Sequence, residues 1–112
     1  MLFEHDLVKA IQAFIGKASS FPDGIVCNVG GGRAFTLSLL DLLDLLERET
    51  ERRPQLAFAS WRPSDQRIYV SDVRRIGALL GWVPETPPVE GVRAMIRWVS
   101  EHLELFEPGR DR

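Results

Sequence analysis

The sequence has one cysteine, two histidines and one tyrosine, and no lysine after Lys17. Each scarcity excludes something. A lone Cys27 cannot form an intramolecular disulfide, which suits a reducing cytoplasm. His5 and His102 stand far apart, with no cysteine or acid cluster at ligand spacing, so no metal site is expected. The residue four after Tyr69 is Val73, so a Tyr-x-x-x-Lys proton-transfer pair is missing, and without a later lysine a P-loop is too. Excess positive charge is also lacking. A formal net charge of -2 argues against a broad nucleic-acid footprint, which needs clustered Lys and Arg. No stretch approaches the ~20 apolar residues needed to cross a bilayer. The opening Met1-Leu2-Phe3-Glu4-His5-Asp6 lacks the basic-then-apolar layout of a signal peptide. The expectation is a soluble cytoplasmic protein that binds neither nucleic acid nor membrane.

What is present is an ordinary globular composition, 45% hydrophobic and 27% charged over 112 residues. That length supports one small domain, residues 1–112, with one core. Leu7, Val8, Ile11, Phe14 and Ile15 fall at helical spacing, and Asp6 can cap that helix. Ser19, Ser20, Pro22, Asp23 and Gly24 then break it. Residues 25–29 read as a short buried strand ended by Gly30, Gly31 and Gly32. Ser38 to Asp41 reads as a capping box for a second helix, with Thr36 a competing cap. Leu39, Leu40, Leu42, Leu43, Leu45 and Leu46 leave only a narrow polar stripe on it. A surface helix hides a stripe about 100° wide. This one hides more, so it should touch two elements, or one element and a partner. Residues 56–59 read as a second strand and 68–70 as a brief extended stretch. Ser71 or Asp72 caps a short helix stopped by Gly81. A last helix begins near Pro88 with Val89, Val92, Ile96, Val99 and Leu103 as its seam. The tail, residues 107–112, reads as frayed. The fold class expected is α/β (α+β): about four helices with two or three short strands.

Two stretches have the chemistry of a binding site. Asn28-Val29-Gly30-Gly31-Gly32-Arg33 lies between a strand and a helix, where exposed backbone amides can hold phosphate. Counting from Gly30, the sixth position is Phe35, so the dinucleotide fingerprint fails. From spacing alone, a glycine turn that lets strand and helix pack closely accounts for it as well. The second stretch is the loop from Arg62 to Asp65. A guanidinium can grip a diphosphate through two charge-assisted hydrogen bonds, and a nearby carboxylate can accept from ribose hydroxyls. The plainer reading is an exposed ion pair worth under ~1 kcal/mol. Cys27 reads as an inert core thiol, and Trp82 and Trp98 as core or interface aromatics.

Four stretches together resemble the carboxyl-terminal part of the extended short-chain dehydrogenase/reductases that act on nucleotide sugars. They are Glu4-His5-Asp6-Leu7-Val8-Lys9-Ala10-Ile11; Ile25-Val26-Cys27-Asn28-Val29-Gly30-Gly31-Gly32 with Ser38-Leu39-Leu40-Asp41-Leu42; the run from Arg62 to Asp72; and Leu80-Gly81-Trp82-Val83-Pro84 followed by Glu90-Gly91-Val92 and Trp98. Within that family, Asp65-Gln66 with Tyr69-Val70-Ser71-Asp72 is most similar to the CDP-tyvelose (CDP-paratose) 2-epimerases. The resemblance implies that Arg62 holds the nucleotide diphosphate, that Asp65 lies near the ribose, and that Asn28, Gly30 and Gly31 form a turn of mainly architectural role. Cys27 departs from the aromatic usual at its position. In the family the NAD fingerprint and the Tyr-x-x-x-Lys pair precede the first matching stretch. The resemblance therefore implies a nucleotide-sugar-binding lobe without the NAD-binding Rossmann part, with no cofactor of its own, no catalytic residue and no activity alone. Its partners would be a nucleotide diphosphate sugar and either a Rossmann chain or a second copy. The other reading is a non-catalytic nucleotide-binding or oligomerising module.

Overall fold

The computed structural model describes residues 1–22 and 24–106. Its helices are α1 (Glu4–Lys17), α2 (Leu39–Thr50), α3 (Arg74–Leu80) and α4 (Pro88–Glu101), with 3-10 turns at Ala18–Ser20 and Leu103–Leu105. Asp23 and the tail expected to fray lie outside the described residues.

Most helix ends follow local chemistry. At α2 the Ser38 hydroxyl accepts from the Asp41 N–H at 3.1 Å, while the Asp41 carboxylate accepts from the Ser38 N–H at 3.1 Å. The Ser38 hydroxyl also donates to the Asp41 carboxylate at 2.6 Å, and that bond first, then the one from the Ser38 N–H, holds the Asp41 carboxyl below the usual carboxylate range. Thr36 makes no cap; its hydroxyl donates to the Arg33 carbonyl at 3.1 Å. Gly81 ends α3 with φ 70°, a conformation that costs glycine nothing, and its N–H reaches the Gly77 carbonyl at 2.8 Å. Pro88 opens α4, where its missing N–H is not needed.

Asp6 does something other than cap. Phe3 is the N-cap of α1 and makes no side-chain bond there. Asp6 lies inside the first turn and is 1% exposed. Its carboxylate accepts from the N–H groups of Glu85 at 3.2 Å and Thr86 at 2.9 Å, and from the Thr86 hydroxyl at 3.2 Å. The Trp82 indole N–H donates to the Asp6 carbonyl at 3.0 Å. A buried carboxylate is tolerable only when so satisfied. It ties the start of α1 to the loop between α3 and α4. Beside this junction Ala10, Ile76 and Trp82 are buried, with Leu2, Cys27, Val29, Val73 and Leu80 packed against them. A second contact joins α2 to α4, whose buried apolar positions are Leu45 and Val92. Glu49 and Arg93 pair across it in a two-pronged ion pair at 2.8 and 2.9 Å.

The expected strands are not there. Among the described residues the fold is helical and has no sheet, so the α/β expectation is corrected. The reason lies in pairing. Residues 25–29 do alternate, with Ile25, Cys27 and Val29 half-buried and Val26 and Asn28 exposed, as an extended chain should. A strand, however, is defined by its neighbour's hydrogen bonds, and no described segment makes backbone hydrogen bonds to this one. Residues 56–59 and 68–70 are exposed throughout and make no ladder either.

The helices leave much apolar surface in water. Accessible area is 9381 Å², against roughly 6,200 Å² expected for a compact chain of this mass. The radius of gyration is 17.7 Å, where about 13 Å is expected. Ile11, Ile15, Leu39, Leu40, Met95 and Trp98 are all exposed. On α2, Leu45 is buried, Leu42, Leu43 and Leu46 are half-buried, and Leu39 and Leu40 are exposed, so the wide apolar face read from the sequence is only partly covered. No described helix is long and apolar enough to cross a membrane.

Candidate functional site

The glycine turn is a built feature. Gly30, Gly31 and Gly32 are all buried. A side chain at Gly30 would run into that of Ser71, with the Ser71 Cβ at 2.7 Å, and one at Gly31 would meet the Met1 carbonyl. Gly32 has φ 62°, and its N–H donates to the Ser71 hydroxyl at 3.0 Å. These contacts draw the turn against residues 67–71. Between the two runs a cleft of about 460 Å³, bordered also by Thr36 and Ser38. That is large enough for a cofactor- or substrate-sized molecule. The residues with polar side chains along it are Thr36, Ser38, Arg67, Tyr69 and Ser71, and the hydroxyls of Thr36, Ser38 and Ser71 also bond within the chain.

The arginine loop lies outside that wall. The Asp65 N–H donates to the Arg62 carbonyl at 3.2 Å, closing a turn around Pro63 and Ser64. Ser64 sits at φ 64°, where a non-glycine residue costs about 1 kcal/mol or more. The turn places the Arg62 guanidinium 3.5 Å from the Asp65 carboxylate. Arg62 is 84% exposed at its side chain, so this pair stores little energy, and its donors stay free for a ligand. Arg67 returns across the loop and lays its guanidinium 5.3 Å from the centroid of the Trp61 ring.

The expected site residues therefore divide. Gly30 and Gly31 line the cleft; Asn28 is exposed beside the turn; Arg62 and Asp65 stand together on the loop that leads into the cleft's far wall at Arg67. Reading the loop as an Arg-Asp pair passed over Arg67, Tyr69 and Ser71. Their signal was faint: a cation and two hydroxyls at every second residue of an extended run. Next to the cleft, Arg74 grips Asp72 with bonds of 2.6 to 3.1 Å. Those side-chain bonds, helped by the Arg74 N–H, hold the Asp72 carboxyl down to about 2. This pair is self-satisfied and offers a ligand little. Among the described residues no three ligating side chains gather as a metal site would require.

A cleft lined by glycines, hydroxyl-bearing side chains and one arginine can take an anionic, hydroxyl-rich ligand. The chain is similar to nucleotide-sugar epimerases and dehydratases. It is 35% identical over 100 residues to CDP-paratose 2-epimerase of Salmonella typhi, covering 89% of this chain and 29% of that protein. It is 26% identical over 82 residues to UDP-glucuronate 4-epimerase of Thermodesulfobacterium geofontis, covering 73% of this chain and 25% of that one. To dTDP-glucose 4,6-dehydratase 1 of Escherichia coli it is 28% identical over 112 residues, covering 95% and 30%. No protein-family model matches the chain. The resemblance carried by the four stretches is thus borne out, and the chain spans under a third of the length of these curated relatives.

Proposed function

We propose that this chain forms the nucleotide-sugar-binding part of an NAD-dependent epimerase or dehydratase and is not catalytic by itself. The observation that carries this reading is the similarity to sugar-nucleotide enzymes across nearly the whole chain, 89% of it at 35% identity in the first case. The cleft and the exposed Arg62 fork support it. In this reading Arg62 holds the diphosphate, Asp65 accepts from ribose hydroxyls, and the turn of Asn28, Gly30 and Gly31 sets the cleft floor. Epimerisation or dehydration in such enzymes passes through hydride transfer, for which a cofactor must be held within reacting distance of the sugar. These residues supply neither the dinucleotide fingerprint nor a Tyr-x-x-x-Lys pair, so that chemistry belongs to an NAD-binding Rossmann unit. The uncovered apolar surface supports such a partner, because a chain with this much exposed Leu, Ile and Phe gains by association.

Titration calorimetry with CDP, UDP, dTDP and GDP sugars tests the binding role. Arg62→Ala should weaken binding by roughly 2–4 kcal/mol if the guanidinium grips a diphosphate. Unchanged affinity would remove Arg62 from the site. A second reading, a non-catalytic module that associates through its apolar faces, draws on the same exposed surface. Light scattering separates the two: a stable homodimer that ignores both sugar nucleotides and a Rossmann chain would favour the module.

A further inference from the structure

Resting on the nucleotide-sugar reading, we propose that Trp61 is the stacking face for the nucleobase of the bound nucleotide, with Arg67 bracing the indole at the mouth of the cleft. Trp61 is 60% exposed, an unusual position for the largest apolar side chain. It is not left loose: the Arg67 guanidinium lies over its ring at 5.3 Å, and Arg67 is at the same time part of the cleft wall. Trp61 directly precedes the turn closed by the Asp65 N–H on the Arg62 carbonyl, so the braced indole, the Arg62 fork and the Asp65 carboxylate belong to one short loop. Base, ribose and diphosphate are consecutive groups in a nucleotide. An aromatic plane, a carboxylate and a guanidinium are the complementary groups, here within five consecutive positions plus one brace.

The other two indoles are committed elsewhere. Trp82 is buried, with its N–H bonded to the Asp6 carbonyl. Trp98 has the His102 ring stacked at 4.7 Å and Phe106 edge-on at 6.3 Å. Every nucleobase has a π-face, so Trp61 contributes affinity for nucleotides without selecting among bases. A base on the indole completes a sandwich whose other slice is a delocalised cation.

Titrating the chain with CDP and UDP while following tryptophan emission tests this. The wild type should be quenched on binding. Trp61→Ala should weaken affinity about five- to a hundred-fold. Trp61→Phe should keep affinity within a few-fold yet lose the quench. Arg62→Ala should weaken binding but retain the quench at saturation. Trp61 is exposed, so the urea midpoint of its variants should match the wild type and exclude misfolding as a cause. If Trp61→Ala binds as well as the wild type, or Trp61→Phe is quenched as strongly, the stacking role is wrong while the nucleotide reading stands. If the wild type takes up no nucleotide, the nucleotide reading itself fails and the platform with it.

Discussion

The junction at Asp6 and the loop at Arg62 are each built around a carboxylate, and nearly everything else about them differs. Asp6 is 1% exposed and accepts from donors 79 and 80 residues away in the chain. Asp65 has a guanidinium partner at 3.5 Å in its own turn, beside a side chain that is 84% exposed. The first spends its hydrogen-bonding capacity on holding α1 to the loop before α4. The second keeps its capacity in reserve. A carboxylate that builds the fold and one left open to solvent thus lie in separate regions. Ser64 at φ 64° shows which of them carries local strain.

That contrast can be broken or sharpened by substitution. The largest effect is expected from Trp82→Ala, which empties a buried site and removes the bond to the Asp6 carbonyl; a loss of about 3–5 kcal/mol should appear in urea unfolding. Asp6→Asn keeps the shape but turns half of an acceptor into a donor facing the N–H groups of Glu85 and Thr86. It should cost about 1–3 kcal/mol, and a wild-type midpoint would refute the anchoring role. Ser38→Ala removes one half of the α2 capping box and should cost about 1 kcal/mol, seen as a lower melting temperature. The same box predicts a pH response. The Asp41 carboxyl is held low in the folded state, so its contribution is in place above the ordinary carboxylate pKa and is lost as pH falls through the folded value. Acidification from pH 5 to 2 should reduce helical circular dichroism, less steeply in Ser38→Ala. Asp72, held at about 2, should release Arg74 only at the acid end of that range. At the small end, Arg62→Ala should move stability by under ~0.5 kcal/mol while weakening ligand uptake. A large loss of stability there would mean that the loop is structural after all.

How much of this was readable beforehand depends on how far apart the interacting residues are. The capping box at Ser38 and Asp41, the Gly81 stop and the Pro88 start were legible because each is decided within four residues. The strands were misjudged for the opposite reason. Residues 25–29 have the composition and alternation of a strand, but a ladder needs a second segment that sequence periodicity does not reveal. Asp6 looked like a helix cap because its sequence neighbours are a helix start; its true partners lie at positions 85 and 86. At the site, the glycine turn was legible, and its packing against Ser71, 39 residues on, was not. Four stretches scattered over the chain nevertheless identified its relatives, because similarity accumulates over positions whose roles remain individually obscure.

The extended run at residues 25–29 has one more consequence. Among the described residues, none of its backbone amides or carbonyls enters a hydrogen bond with another backbone group. Ile25, Cys27 and Val29 are half-buried on one side, while the peptide groups along its margin have no backbone partner. Such a margin is a template on which any straight peptide of similar length can lie.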